Sequence, residues 1–314
     1  MHRVIKLKYV ILLIAVSMGA LCVIYVYRHD AGVVPDKRIM IVATTSIIAD
    51  AVRVVAGNSA SVHALMGPGV DPHLYRARES DVHKLAEADI VFYNGLHLEG
   101  KMGQVLEGMN RFAKVIAVSD VLDKNQLRRA DFDEMYDPHI WFDVSLWIQV
   151  VHCIQNNMIQ YDQENAAFYQ KNGDEYVQRL EQLNQYVHDQ VSIITPEKRI
   201  LITAHDAFGY FGRAYGFEVV GLQGLSTDSD ISTKEIKQLA DYIVEKKVKA
   251  IFVESSIPQR TLIAVQNAVR ARGWNVVVGD ELYSDALGDE TTQASDYCGM
   301  ITHNIDVIVS SLVG

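Results

Sequence analysis

Cysteine is nearly absent from this chain. Its 314 residues include three, Cys22, Cys153 and Cys298, with no CxxC pair among them. A thiolate zinc site therefore has no suitable spacing, and an odd number so widely spread argues against a disulfide framework. Cys153 and Cys298 are expected to be buried apolar residues on helices. Basic charge is also short. Lys and Arg number 29 against 39 Asp and Glu, a net charge of -10. That disfavours nucleic acid as a partner, because phosphate neutralisation needs a basic surface. Long apolar runs are missing except for one at the N-terminus. What remains is ordinary globular sequence, 49% apolar and 22% charged. A chain of this length exceeds one ordinary core, so two domains are expected.

The exception is the run from Tyr9 to Tyr27, preceded by Arg3, Lys6 and Lys8. Basic, then apolar, then polar is the order of an export signal or an N-terminal anchor. At about 19 residues the run is close to the ~20 that span a bilayer. The basic residues stand before it, so the rest of the chain is expected to face outward. The expected location is extracytoplasmic, in the periplasm or on the outer face of the cytoplasmic membrane, through residues 9–27. Three fates stay open: cleavage after Gly19, lipidation at Cys22 (where bulky Leu21 departs from the usual small residue) and retention as a membrane helix. Asp30 to Lys37, with Gly32 and Pro35, has the composition of a tether.

From Ile39 onward, strand and helix patterns alternate. Apolar β-rich runs at Ile39–Ala43, Ser61–Leu65, Ile90–Tyr93 and Val115–Val118 are each followed or preceded by helical spacing. The pattern resumes with strands expected at Arg199–Thr203, Phe217–Val220, Ala250–Val253 and Asn275–Val278. Alternation of this kind predicts parallel sheets with helices on their faces. Between the halves, Tyr176, Leu180, Leu183, Val187 and Val191 form one apolar stripe on a single long helix, with Gly173 as its weak point. The expected fold is α/β: two open parallel-sheet lobes joined by a long rigid backbone helix. The expected domains are 1–36 signal, anchor and tether; 37–160 first lobe; 161–195 connecting helix; and 196–314 second lobe.

One phrase occurs twice: Asp71-Pro72-His73-Leu74-Tyr75 and Asp137-Pro138-His139-Ile140-Trp141. A third histidine, His205, follows an expected strand directly, and Asp285 lies in a loop after the last strand. In parallel α/β sheets, ligands bind beyond the carboxyl ends of the strands. Two candidates come from each half, which places the site in the cleft between lobes. Imidazole and carboxylate together suit Zn²⁺, Mn²⁺ or Fe²⁺. Three neutral histidines and one aspartate around a divalent ion leave a net +1. Proline before His73 and His139 stiffens both loops. Asp71 and Asp137 either accept an imidazole proton or cap turns. His97, in Asn94-Gly95-Leu96-His97-Leu98-Glu99, is the closest rival ligand. His63, His83, His152, His188 and His303 fall within expected helices or strands.

At these residues the chain resembles the cluster A-I solute-binding proteins of metal-ion ABC transporters, the TroA-like zinc- and manganese-binding lipoprotein family. The likeness runs from about Ile39 to Val313. It includes Met66-Gly67-Pro68-Gly69-Val70-Asp71-Pro72-His73, Tyr93 to Glu99, Asp137-Pro138-His139 with Trp141-Phe142-Asp143, Thr203 to Tyr210, and Glu254-Ser255-Ser256-Ile257-Pro258. The resemblance implies one zinc or manganese ion per chain, bound between the lobes by His73, His139, His205 and Asp285 as transported cargo. It implies delivery to a membrane permease of an ABC importer, no enzymatic activity, and a monomer. His205 stands where manganese-specific members carry Glu, which leans toward zinc or mixed use. The 123–137 segment lacks the His-rich loop of many dedicated zinc members. Two rivals are set against this. A zinc hydrolase needs an open coordination position, with Glu254 or Asp206 as base only if Asp285 is not a ligand. The other is a surface adhesin of the same fold, which could coexist with metal binding and which no repeat or exposed aromatic stripe suggests.

Overall fold

Parallel strands covered on both faces need near-continuous apolar sequence, and β1 (Ile39–Ala43) supplies it at the interior of the first sheet. The computed structural model describes residues 38–129 and 135–313. The signal, anchor and tether expected over 1–36 lie outside the described residues. β1 pairs in parallel with β2 (Ala60–Ala64) and with β3 (Ile90–Tyr93), and β4 (Lys114–Ala117) follows β3, giving the order β2-β1-β3-β4. Helices α1 (Ser46–Ala56), α2 (Glu79–Glu87) and α3 (Gly103–Met109) connect these strands. α1 begins where Thr45 accepts a hydrogen bond from the Ile48 N–H, satisfying one of the orphan donors of the first turn.

The middle of the chain is helical. α4 (Val144–Tyr161) starts at Asp143, whose carboxylate accepts from the Ser145 N–H. α5 (Ala166–Ser192) has 27 residues, roughly 40 Å at ~1.5 Å each. Its buried stripe is Tyr169, Gly173, Tyr176, Leu180, Leu183, Val187 and Val191. Gly173 turns out to be a site of close approach and not a weak point. A Cβ there would overlap the Gln155 amide, which donates to Gln170 O at 2.9 Å and Asp174 Oδ1 at 3.2 Å.

The second half repeats the strand–helix order with α6 (Gly209–Tyr215), α7 (Thr233–Lys246), α8 (Arg260–Arg270) and α9 (Tyr297–Val313). Its parallel ladders pair β5 (Ile200–His205) with β6 (Glu218–Gln223), and β7 (Ala250–Glu254) with β8 (Val277–Leu282). β5 lies beside β7. β5 and β8 run further than their apolar residues suggest. β8 continues through Asp280 and Glu281 to Leu282 because it is partly solvated along its length, so polar side chains do not break the ladder.

The fold is α/β with parallel sheets and one long helix, as expected. α5 packs on α1 and α4 from the first half and on α6 and α9 from the second. The largest core cluster accordingly runs unbroken from Ile41 and Val52 through Tyr176 and Leu180 to Leu201, Phe208 and Ile308. The outer faces bury separate clusters, one around Leu85, Val91 and Leu106 and the other around Ile202, Ile243 and Val265. The two lobes are joined along their inner side and independent on their outer sides. Among the described residues, no helix is long and apolar enough to cross a membrane.

Candidate metal centre

Four loops and strand ends bring His73, His139, His205 and Asp285 together, all buried, with one ligand atom from each within 4.8 Å of the others. The shorter separations are His73 Nε2 to His139 Nε2 at 3.2 Å, His205 Nε2 to Asp285 Oδ2 at 3.4 Å, and His139 Nε2 to Asp285 Oδ1 at 3.6 Å. His73 Nε2 lies 3.8 Å from Asp285 Oδ2. A tetrahedron with bonds of ~2.0–2.2 Å has edges of about 3.3–3.6 Å. The separations among the three imidazole nitrogens and the two Asp285 oxygens given above are close to that size. Two buried imidazole nitrogens facing each other at 3.2 Å need a cation or a shared proton between them.

His73 is presented by the turn after β2. Gly69 adopts φ +67°, and Asp71 Oδ1 accepts from the His73 backbone N–H at 2.8 Å. The other Asp71 oxygen accepts from Thr227 Oγ1 at 2.5 Å, across the cleft. Asp71 is thus a turn cap and not an imidazole partner. Asp137 fills both roles considered for it. Its Oδ1 accepts from the His139 backbone at 3.0 Å and from His139 Nδ1 at 2.8 Å. A carboxylate on Nδ1 makes that nitrogen the donor, so the Nε2 lone pair points into the cluster.

The loop after β3 holds this second turn from below. Asn94 Nδ2 donates to Pro138 O at 3.0 Å, and buried Glu99 gathers Thr44 Oγ1 at 2.6 Å and the Asn94 N–H at 2.7 Å. His97 lies on the same loop but is exposed, in a left-handed backbone conformation, and does not join the four. That whole motif is support for the His139 turn.

His205 is the last residue of β5, whereas the expected strand ended two residues before it, at Thr203. Glu254, the last residue of β7, accepts from the His205 backbone at 2.9 Å and lies 2.6 Å from His205 Nδ1. Glu254 is therefore a partner of a histidine and not a free base, a role missed in the sequence because it depends on β5 lying beside β7. Asp285 sits three residues past the end of β8. Its loop is pinned where Trp141 Nε1 donates to Ser284 O at 2.9 Å and Ser256 meets Ser284 at 3.1 Å.

The electrostatics are unequal. Burial drives His73 down to about 3, outweighing Asp285. Burial also opposes charge on His205, yet Glu254 and Asp285 hold it well above the usual imidazole range. For Asp285, burial would raise the pKa, but His205, His73 and His139 keep it well below the carboxylate range. Both Asp285 oxygens and His205 Nε2 are fully buried without a hydrogen bond. Unbonded buried polar atoms are costly, and here they converge on one point.

The profile of the family described as "Zinc-uptake complex component A periplasmic" (ZnuA) matches residues 41–311. The chain is 43% identical over 283 residues to the manganese-binding lipoprotein MntA of Bacillus subtilis, covering 90% of this chain and 92% of that protein. It is 45% identical over 278 residues to the zinc-binding protein TroA of Treponema pallidum, covering 88% and 90%. The solved structure of that periplasmic zinc-binding protein superimposes with a TM-score of 0.86 at 44% identity, covering 88% of this chain and all of that one.

Proposed function

The chain belongs to the ZnuA family of periplasmic zinc-uptake components, and from that premise we propose that His73, His139, His205 and Asp285 hold a single zinc or manganese ion as cargo between its lobes. The protein is an extracytoplasmic substrate-binding component that captures a divalent metal and works with an ABC transporter; it is not an enzyme. In the finer reading, the lobes span 37–160 and 196–314, the connecting helix spans 161–195, and a monomer tethered through its N-terminus hands the ion to a membrane permease.

The observation that carries the ligand assignment is the convergence of unbonded, fully buried Asp285 oxygens and His205 Nε2 with two further imidazole nitrogens at tetrahedral-edge spacings. Charge supports it. A divalent ion (+2) with Asp285, Glu254 and Asp137 (-3) and Arg128 (+1), which pairs with Asp137, sums to zero. A neutral assembly is what a desolvated site tolerates best. Three imidazoles and one carboxylate bind Zn²⁺ more tightly than Mn²⁺ by the usual order of divalent ions, so metal supply as well as affinity sets the cargo.

The test is elemental analysis of the full-length protein purified without chelator, followed by Zn²⁺/Mn²⁺ competition. The expected result is one equivalent of metal that survives dialysis. No metal, and no uptake of either ion, would overturn the assignment.

A further inference from the structure

The Gly209-Tyr210 step at the start of α6 has no part in the four-residue centre, yet it is built around a first-lobe side chain. A Cβ on buried Gly209 would overlap the Arg128 guanidinium, so only glycine leaves the notch in which that group sits. From the notch, Arg128 Nη1 donates to Asp137 Oδ2 at 2.8 Å, while Asp137 Oδ1 receives the His139 Nδ1–H. The backbone is fixed as well: the Asp137 N–H donates to Arg128 O at 2.9 Å. Tyr210, next to the notch, takes the Arg128 N–H at 3.0 Å and donates its hydroxyl to Asp137 O at 2.9 Å. One turn on, Arg213 donates to Gln126 O at 2.6 Å and covers the Tyr210 ring at 4.9 Å. The face of α6 formed by Gly209, Tyr210 and Arg213 is a socket for the segment that carries Asp137.

We propose that Arg128, seated in the Gly209 notch of the opposite lobe, is a positioning residue that orients His139 through Asp137 and so makes metal affinity depend on the seating of one lobe against the other. This rests on the assignment of His139 as a ligand. The physical reasons are specific. A carboxylate that holds a metal-facing imidazole does so in one orientation. A guanidinium on its second oxygen fixes that orientation, through a charge-assisted bond. Arg128 is only partly buried and has a long flexible side chain, so its position is set by the notch more than by its own packing. Parting the lobes would remove the notch and the Tyr210 hydroxyl together, loosening His139 without a change in any ligand.

The experiment is Zn²⁺ titration of the full chain against a competing chromophoric chelator, for Arg128→Gln, Gly209→Ala and the double variant. Nitrogen NMR of the His139 ring in the metal-free protein is recorded alongside. Each single variant is expected to weaken Zn²⁺ binding by about 10- to 100-fold, the usual effect of losing an outer-shell partner. The double variant is expected to be no worse than either, because both substitutions break the same link. His139 is expected to lose its single Nδ1–H form in all three, and Arg128→Lys to recover part of the affinity. Wild-type affinity in Arg128→Gln would overturn the proposal, as would losses that simply add in the double variant, which mark two unrelated packing defects. A wild-type protein that bound no metal would overturn the ligand assignment itself, a result distinguishable from either.

Discussion

The two copies of the Asp-Pro-His phrase sit at the same centre and are held differently. In the second copy, Asp137 grips both the backbone and Nδ1 of His139, Trp141 packs against the ring edge-on at 5.3 Å, and Ile140 is fully buried. In the first copy, Asp71 caps the turn and reaches Thr227, Leu74 is 45% exposed, and no described residue bonds His73 Nδ1. His139 is oriented before any ion arrives. His73 is buried as well, but no carboxylate holds its Nδ1. The same Asp-Pro-His triplet thus yields one imidazole held by its own aspartate and one that is not, and the difference lies in what each aspartate finds in three dimensions.

The sharpest way to break this comparison is to remove the two histidines in turn. His139→Ala is expected to cost well over the ~10- to 100-fold of an outer-shell loss, with far-UV circular dichroism unchanged. His73→Ala is expected to cost measurably less, because a water molecule can replace a less constrained ligand. Equal losses in calorimetric Zn²⁺ titrations would erase the distinction. Next come the aspartates. Asp137→Asn is expected to weaken binding by about 10- to 100-fold, since the amide cannot hold the imidazole as a carboxylate does. Asp71→Asn and Thr227→Val are expected to change affinity by less than about tenfold while quickening dissociation in stopped-flow measurements, because they cut one interlobe bond and no imidazole contact. A larger effect from Asp71→Asn than from Asp137→Asn would reverse the roles.

A separate expected effect is on pH. His73, held down at about 3, is already neutral at physiological pH and has no proton to release. His205, held well above its ordinary value by Glu254 and Asp285 against the pull of burial, keeps its proton in the metal-free protein. Metal must displace that proton, so Zn²⁺ affinity is expected to rise with pH between about 6 and 8, by roughly tenfold per unit for one proton released. The sign for stability runs the other way. A raised histidine pKa stabilises the metal-free fold below the unfolded value and loses that contribution as pH rises through the folded value. Melting curves of metal-free protein are expected to show it, and Glu254→Gln to flatten both trends. A slope of two protons or more would mean that a second imidazole of the centre is also charged.

Much of this centre was legible from residue types alone. The repeated phrase, a histidine at a strand end and an aspartate after the last strand lead to all four clustered side chains, since parallel sheets direct such residues to one edge. The roles of Glu254, Arg128 and Gly209 were not legible. Glu254 meets His205 across 49 positions, and Tyr210 meets Asp137 across 73. Such pairs depend on which strand lies beside which and on how α6 faces Gln126, Arg128 and Asp137. Gly173 was misread for the same reason: its small size matters only because α4 brings Gln155 against it.

The sequence by itself determined the alternation of strands and helices, the apolar stripe of α5 and the four side chains that cluster, because periodicity and loop position are local properties. Only the tertiary structure decided which aspartate holds an imidazole, which glycine houses a guanidinium, and that one core runs unbroken under both lobes. Those are distances between segments far apart in the chain, and no spacing along it encodes them.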